Sequence, residues 1–373
     1  MRVYSAFNGY SGANVALDRA DKKVTTYLAS ETDKWCNAVT RYNYPKTVFI
    51  GDITKVNPNS IKDIDLMIGG SPCQDLSFSG KGKGLVEGER SNLFFTWLDH
   101  LKTIKPKYFL LENVKMKKEY ENMITMALGV APMMIPSSLV SGQKRDRLYW
   151  FNWHCDLPKD KKIFLQDIVE DGAVDRDKSF CIDANYWKGG NLKSYFVKNR
   201  RQLVFDDHRC IQVGIADIKG YDVIKRVYAR EGKAPTLTTM QGGHREPKVV
   251  CGQMVGRKIN PKTGKRDDYN PNIKTEQRIE LKGDGKTGAL TTVQKDNLVV
   301  TDKYWRALTP RECERLQTLA DDYTLFGDFD ESRYPSDDDY DIKEISKTQR
   351  YKMLGNGFTV DVIAHILRSM PNG

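Results

Sequence analysis

Four side chains in the first 150 residues have the right chemistry to act together on an electron-poor ring: Cys73, Glu112, Arg145 and Arg147. Cys73 follows Pro72, after an apolar run that breaks at Gly69-Gly70. Pro72 fixes its own backbone and biases Ser71 towards extended geometry. The thiol is therefore expected just past the carboxyl end of a buried strand, where open α/β sheets place their ligands. Glu112 begins the run Glu-Asn-Val at the end of another apolar segment. Arg145 and Arg147 enter a further one, and their alternation directs both to one face. A thiolate can attack the ring, an acid can hydrogen-bond or protonate a ring nitrogen, and guanidiniums can hold a carbonyl and a phosphate. Taken singly, each has a plainer reading: a packed loop cysteine, a strand-end acid, an exposed charge pair.

A second series lies upstream. "FNGYSGANVAL" (7–17) puts Phe7, Gly9 and Gly12 in the first strand-to-helix turn, where glycines allow tight turning and close backbone approach to a ligand. It is not the GxGxxG of dinucleotide enzymes. Glu31 follows the second strand and is placed to accept from ribose hydroxyls; Asp52 follows the third, where a base amino group would fall. Each acid alone serves equally as a helix cap or a solvated charge. Their order suggests a nucleoside cofactor without a pyrophosphate.

These positions require a sheet. Strands are expected at 3–7, 24–30, 47–50, 65–68, 108–113 and 147–153, with helices such as 33–42 and 92–104 between them. That rhythm predicts an α/β, doubly wound, mostly parallel sheet. From about 156 to 300 the pattern shifts to short strands, loops and dense charge. Between Lys188 and Lys233 there are eleven Lys or Arg against five Asp or Glu. "APTLTTMQGG" (234–243) and "GALTTVQKDN" (288–297) form a weak internal echo, consistent with two similar β elements. An acidic stretch (321–341) is expected to be looped, and the end of the chain reads as a turn followed by an amphipathic helix. The expected domains are residues 1–155, 156–320, and 321–373 packing back on the first.

The 373 residues carry a net charge of +10, which favours a polyanionic partner. No apolar run approaches the roughly 18 residues of a membrane span, and the N-terminus lacks a signal peptide's apolar region. Seven scattered cysteines with no CxxC argue against a disulfide framework or a zinc site. No metal is expected, and the setting is expected to be the cytoplasm.

In order, the chain shows FxGxxG (Phe7 to Gly12), Glu31, Asp52-Ile53, Pro-Cys-Gln (72–74), "RSNLF" (90–94), Glu-Asn-Val (112–114) and Gln-x-Arg-x-Arg (143–147). "RVYAREGKAPTLTT" (226–239), "RALTPRECERLQ" (306–317) and "GNGFTV" (355–360) complete the set. This series resembles the DNA cytosine carbon-5 methyltransferases of bacteria and phages. The resemblance implies an S-adenosylmethionine-dependent methyltransferase sheet with a smaller β-rich target recognition domain. It implies double-stranded DNA as partner, and a monomer.

It also implies roles. Cys73 would add to carbon 6 of a flipped cytosine, Glu112 would contact ring nitrogen 3 and the exocyclic amine, and Arg147 would bind the carbonyl oxygen. Arg145 would orient the site and meet a phosphate, with Gln143 supporting both arginines. S-adenosyl-L-methionine would lie against Phe7, Gly9, Ser11 and Gly12, with Glu31 and Thr32, Asp52 and Ile53, Pro72, Leu93, Asn356 and Val360 around it. Arg226, Thr236 and Leu237 would meet DNA. Thr32 stands where many relatives carry a stacking tryptophan, and Gly357-Phe358 replaces a common Ser-Val pair. The tRNA-methylating branch shares Pro-Cys-Gln and Glu-Asn-Val, but its Cys-Phe-Thr signature is absent here. A catalytically silent DNA-binding homologue would usually lack the nucleophile or the cofactor loop, and both are present.

Overall fold

The computed structural model describes residues 1–71, 92–189, 195, 200–205, 212–215, 226–228, 248–249, 251–258, 276–282, 297–299, 305–331 and 340–371. Two compact units emerge. One comprises Met1–Glu170, Val174–Leu203 and Ala307–Gly373; the other comprises Asp171–Ala173 and Val204–Arg306. The first unit thus takes in much of 156–203, which the sequence pattern assigns to the middle domain. That stretch packs through isolated large side chains such as Tyr186 and Leu203, both buried. It has no helical or strand period that would tie it to the sheet.

The first unit is built on β1 (Arg2–Ala6), β2 (Thr26–Ser30), β3 (Val48–Phe49), β4 (Leu66–Gly69), β5 (Tyr108–Val114), β6 (Met133–Pro136) and β7 (Asp146–Phe151). They form one seven-stranded sheet in the order β3-β2-β1-β4-β5-β7-β6. Strands β3, β2, β1, β4 and β5 pair in parallel, and β7 runs antiparallel between β5 and β6. Buried on both faces, parallel strands read as continuous apolar runs, which is why the sequence displays them. The edge strand β6 is not apparent there. It has four residues, is only partly buried and ends on a proline, which edge positions tolerate.

Alternation assigns the faces. Tyr4, Ala6, Met67, Phe109, Leu111, Leu148 and Trp150 form one core with Phe94, Trp97 and Leu98 of α3 (Asn92–Ile104) and Ile124 of α4 (Lys118–Leu128). Val3, Leu66, Ile68, Leu110 and Tyr149 are equally buried and point to the other face. Helix α1 (Gly12–Arg19) packs on the Val360–Arg368 helix, with Arg19 and Asp361 in an ion pair at 2.7 Å.

The C-terminal segment starts from a capping box in "TPRE". The Thr309 hydroxyl accepts from the Glu312 N–H at 3.2 Å, and the Glu312 carboxylate accepts from the Thr309 N–H at 2.7 Å. The expected final turn and helix are two helices, Lys347–Asn356 and Val360–Arg368. Met353 and Leu354 are buried, so packing makes a helix of a stretch that Gly355 and Gly357 suggest as a turn. The acidic stretch contains Phe326–Asp328, paired antiparallel with Ile342–Glu344.

The second unit contains two three-stranded sheets among its described residues. Arg226–Tyr228 lies between Gln212–Ile215 and Lys248–Val249, and Cys251–Arg257 lies between Glu276–Lys282 and Asn297–Val299. Apart from Asn297, both echo segments, and most of the basic 188–233 stretch, lie outside the described residues.

Candidate active site

In a parallel sheet the carboxyl ends of successive strands share one edge, and a ligand crevice opens where the strand order reverses. Here the reversal lies between β1 and β4. A cavity of about 530 Å³ opens there, lined by residues that follow β1 to β5 and by the end of the Lys347–Asn356 helix. Phe7, Gly9, Gly12, Glu31, Thr32, Asp52, Ile53, Leu93, Glu112, Arg145, Arg147 and Asn356 all line it.

At one end the glycine loop folds tightly. Phe7, Gly9 and Ser11 have φ of 56°, 57° and 67°. A left-handed phenylalanine is unusual and marks a backbone held by its surroundings. Gly9 N–H donates to one Glu31 oxygen at 2.8 Å; Thr32 and Asp33 N–H donate to the other at 2.7 and 2.9 Å. Asn8 lies beneath the loop, accepting from the Tyr27 hydroxyl and donating to Thr40. The Glu31 carboxylate is thereby fixed at the rim. Asp52 accepts from the N–H and hydroxyl of Thr54 at 2.9 and 2.8 Å, which holds its carboxyl below the usual carboxylate range.

The other end carries the charged pair. Glu112 on β5 faces Tyr149 on β7, so Arg147 is its diagonal neighbour on the same face. Arg147 Nε meets Glu112 Oε1 at 3.0 Å, both side chains nearly buried. Arg145 is 3% exposed; its guanidinium donates to the carbonyls of Gly357 at 2.8 Å and Ile182 at 3.3 Å. Gly70 is closely covered: a Cβ there would sit 3.0 Å from both Glu112 Oε2 and the Phe358 ring, which would have to shift. Asn113 Nδ2 donates to Ser71 Oγ at 3.0 Å and anchors the chain as it leaves β4.

Three expected site residues do not line the cavity. Ser11 is buried at the start of α1, accepting from Asn14. Gln143 supports neither arginine; its amide donates to Leu316 O at 2.7 Å and Gln317 Oε1 at 3.0 Å. Val360 is buried, its N–H bonded to Gln317 O. Pro72, Cys73, Thr236 and Leu237 lie outside the described residues, and Arg226 is described only as part of its strand.

Residues the sequence did not single out also line the cavity. Lys352 reaches Asp33 at 2.7 Å beside Thr32, at the glycine-loop end of the cavity. Asp33 also caps the helix Lys34–Asn43 (α2). Tyr10 explains the unusual Gly357. A Cβ on Gly357 would fall 2.0 Å from the Tyr10 ring, whose hydroxyl is bonded to Phe358 O. Gly357 has φ −83°, so the constraint is space and not backbone angle. Gly357→Ala should therefore cost about 2 kcal/mol, in the range of overpacked cores. In a Tyr10→Ala background it should cost less than about 0.5 kcal/mol. Denaturant unfolding of the four proteins checks this; equal costs in both backgrounds would contradict it.

The open sheet thus carries a ligand cavity at its switch point with an acid–arginine pair beside it, the architecture of a ligand-binding α/β protein. The model of the C-5 cytosine-specific DNA methylase family matches residues 1–128 and 141–372, and the chain belongs to that family. It is 26% identical to the orphan methyltransferase M.Rho11sI of Bacillus phage rho11s, over 99% of this chain and 97% of that one. It is also 26% identical to the type II methyltransferase M.HhaI of Haemophilus parahaemolyticus, over 98% and 93%. Among solved structures, a mutant of Spodoptera frugiperda DNMT2 shares the fold at a TM-score of 0.53 and 16% identity, over 99% of this chain and 98% of that one. The protein is a DNA cytosine-5 methyltransferase.

Proposed function

We propose that this enzyme transfers a methyl group from S-adenosyl-L-methionine to carbon 5 of a flipped-out cytosine in a specific duplex DNA sequence, through a covalent adduct of Cys73 at carbon 6. The observation that carries this reading is a single cavity holding the Glu31–Asp52 end and the Glu112–Arg147 pair. Ser71, two residues before Cys73 in the sequence, lines that cavity.

The lining suits a nucleoside cofactor without phosphates. Carboxylates stand at the glycine-loop end, Phe7, Ile53 and Leu93 supply apolar surface, and the nearby cation, Lys352, is paired with Asp33. When bound, the cofactor supplies an electrophilic sulfonium methyl. Glu31 would accept from its ribose hydroxyls, and Asp52 with Ile53 would meet the adenine.

Cytosine carbon 5 is a poor nucleophile until carbon 6 carries an added thiolate, which makes the ring enamine-like. Glu112 would hold or deliver the proton at ring nitrogen 3 as charge develops there, and Arg147 would bind the carbonyl oxygen. A ring atom inside a duplex stack is out of reach, so the base is flipped at a cost of a few kcal/mol. Arg226, Thr236 and Leu237 would contact DNA from the target recognition region. We read the chain as a monomer in the cytoplasm.

Methyl transfer with labelled cofactor on random-sequence plasmid DNA and on tRNA, followed by bisulfite sequencing, tests the proposal. The expected result is cytosine-5 methylation at one short DNA motif. Label on tRNA alone would move the chain to the RNA-methylating branch, and DNA binding without transfer would make it a silent homologue.

A further inference from the structure

Gln143 and Ser179 form a parallel bridge, with Lys144 N–H donating to Ser179 O at 2.9 Å and Ser179 N–H to Gly142 O at 2.7 Å. Two residues further along each segment stand Arg145 and Cys181, so the bridge sets them side by side. Beyond Cys181 the segment is pinned. Asp183 pairs with Arg200 at 2.7 Å, and the buried Tyr186 donates to Gln202 O at 2.9 Å and lies against the Tyr351 ring. Gly355 admits the segment, since a Cβ there would fall 2.2 Å from the Asp183 carbonyl carbon. Cys181 is thus held in place by its neighbours, in a stretch the sequence pattern assigns to the middle domain.

Its sulfur faces both arginines, Arg145 Nη1 at 3.3 Å and Arg147 Nη2 at 4.0 Å. Arg147 is then fixed on three sides: Nε on Glu112, Nη1 on Asp146 O at 2.9 Å, and Nη2 on Cys181. We propose that Cys181 is a positioning residue for the base pocket, its sulfur bridging the two guanidiniums in a Glu112–Arg147–Cys181–Arg145 chain that keeps the Arg147 guanidinium turned towards Glu112. This rests on the assignment of Glu112 and Arg147 to the cytosine.

The chain balances in charge when the thiol has lost its proton to solvent: two guanidiniums against a carboxylate and a thiolate. Burial opposes that ionisation, but Arg145 and Arg147 outweigh it and hold the Cys181 thiol below the ordinary thiol range. The charged groups facing it are those arginines, with Glu112 behind Arg147. The neighbouring Asp183 is engaged by Arg200, and the carbonyls of Gly355 and Gly357 share Arg145. Because the folded pKa is lowered, the anion is present above it and is lost as pH falls through it.

The test compares kcat and KM of the full-length enzyme across pH with Cys181→Ala, Cys181→Ser and Cys181→Asp. Removing an acceptor from a charged donor should lower kcat about tenfold in Cys181→Ala, with the cofactor KM little changed. The ratio of wild type to Cys181→Ser should rise with pH to a plateau. Cys181→Asp, which keeps an anion at all these pH values, should recover most of kcat. A ratio independent of pH, or Cys181→Ala within twofold of wild type, would overturn the proposal. If Cys181→Ala does not fold, the pH dependence of the serine ratio decides. Glu112→Gln run alongside separates the two readings. If it is impaired while Cys181→Ala is not, only the role of Cys181 fails; if Glu112→Gln is fully active, the base-pocket assignment fails first.

Discussion

Glu112→Gln is expected to lower the single-turnover rate of methyl transfer by about two orders of magnitude or more, while leaving DNA affinity nearly unchanged. Glutamine keeps the shape of the side chain, so it still packs over Gly70. What disappears is the carboxyl group and its capacity to exchange a proton. Arg147, 3.0 Å away, loses its carboxylate partner in a nearly buried setting, and a buried charge without its counter-ion is costly. The cytosine carbonyl oxygen would still have a guanidinium to meet, but ring nitrogen 3 would have no acid. Rapid-quench turnover and equilibrium DNA binding measure the two quantities separately. An equal loss of affinity would move Glu112 from stabilising the addition step to holding the ground-state base.

Cys73→Ser should reduce methyl transfer by about three orders of magnitude or more, because a serine hydroxyl is far less ionised and less nucleophilic than a thiol. The described residues fix the point from which the chain reaches position 73. Strand β4 ends at Gly69 in register with Ala6 and Leu111, Gly70 lies under Glu112, and Ser71 is held by Asn113. Cofactor affinity should be nearly unchanged in this variant. Residual turnover within tenfold of wild type would mean that the thiol is not the nucleophile.

The sheet was legible because parallel strands buried on both faces leave unbroken apolar runs, and the site was legible because its acids stand at their carboxyl ends. Glu31 and Asp52 follow β2 and β3, Glu112 lies near the end of β5, and all three line one cavity. Contacts between distant residues were not legible. Tyr10 and Gly357 are 347 positions apart, and no local pattern joins them. Gln143 carries a polar group in a motif rich in function, yet its amide serves to tie the β7 loop to Leu316 and Gln317. Cys181 escaped for a related reason: its meaning comes from the Gln143–Ser179 bridge, a tertiary contact. Residues 174–203 group with the sheet unit through a few buried aromatics that carry no period in the sequence.

The covalent step at Cys73 can be caught by trapping. Methyl transfer leaves a hydrogen on carbon 5 that must depart before the enzyme is released, and a fluorine there cannot leave as a cation. A duplex carrying 5-fluorocytosine at the target should therefore capture the wild-type protein in a denaturant-stable adduct only when S-adenosyl-L-methionine is present, with the modified peptide containing Cys73. Cys73→Ser should give none. An adduct with the serine variant, or one mapped to Cys36, Cys181 or Cys313, would contradict the account.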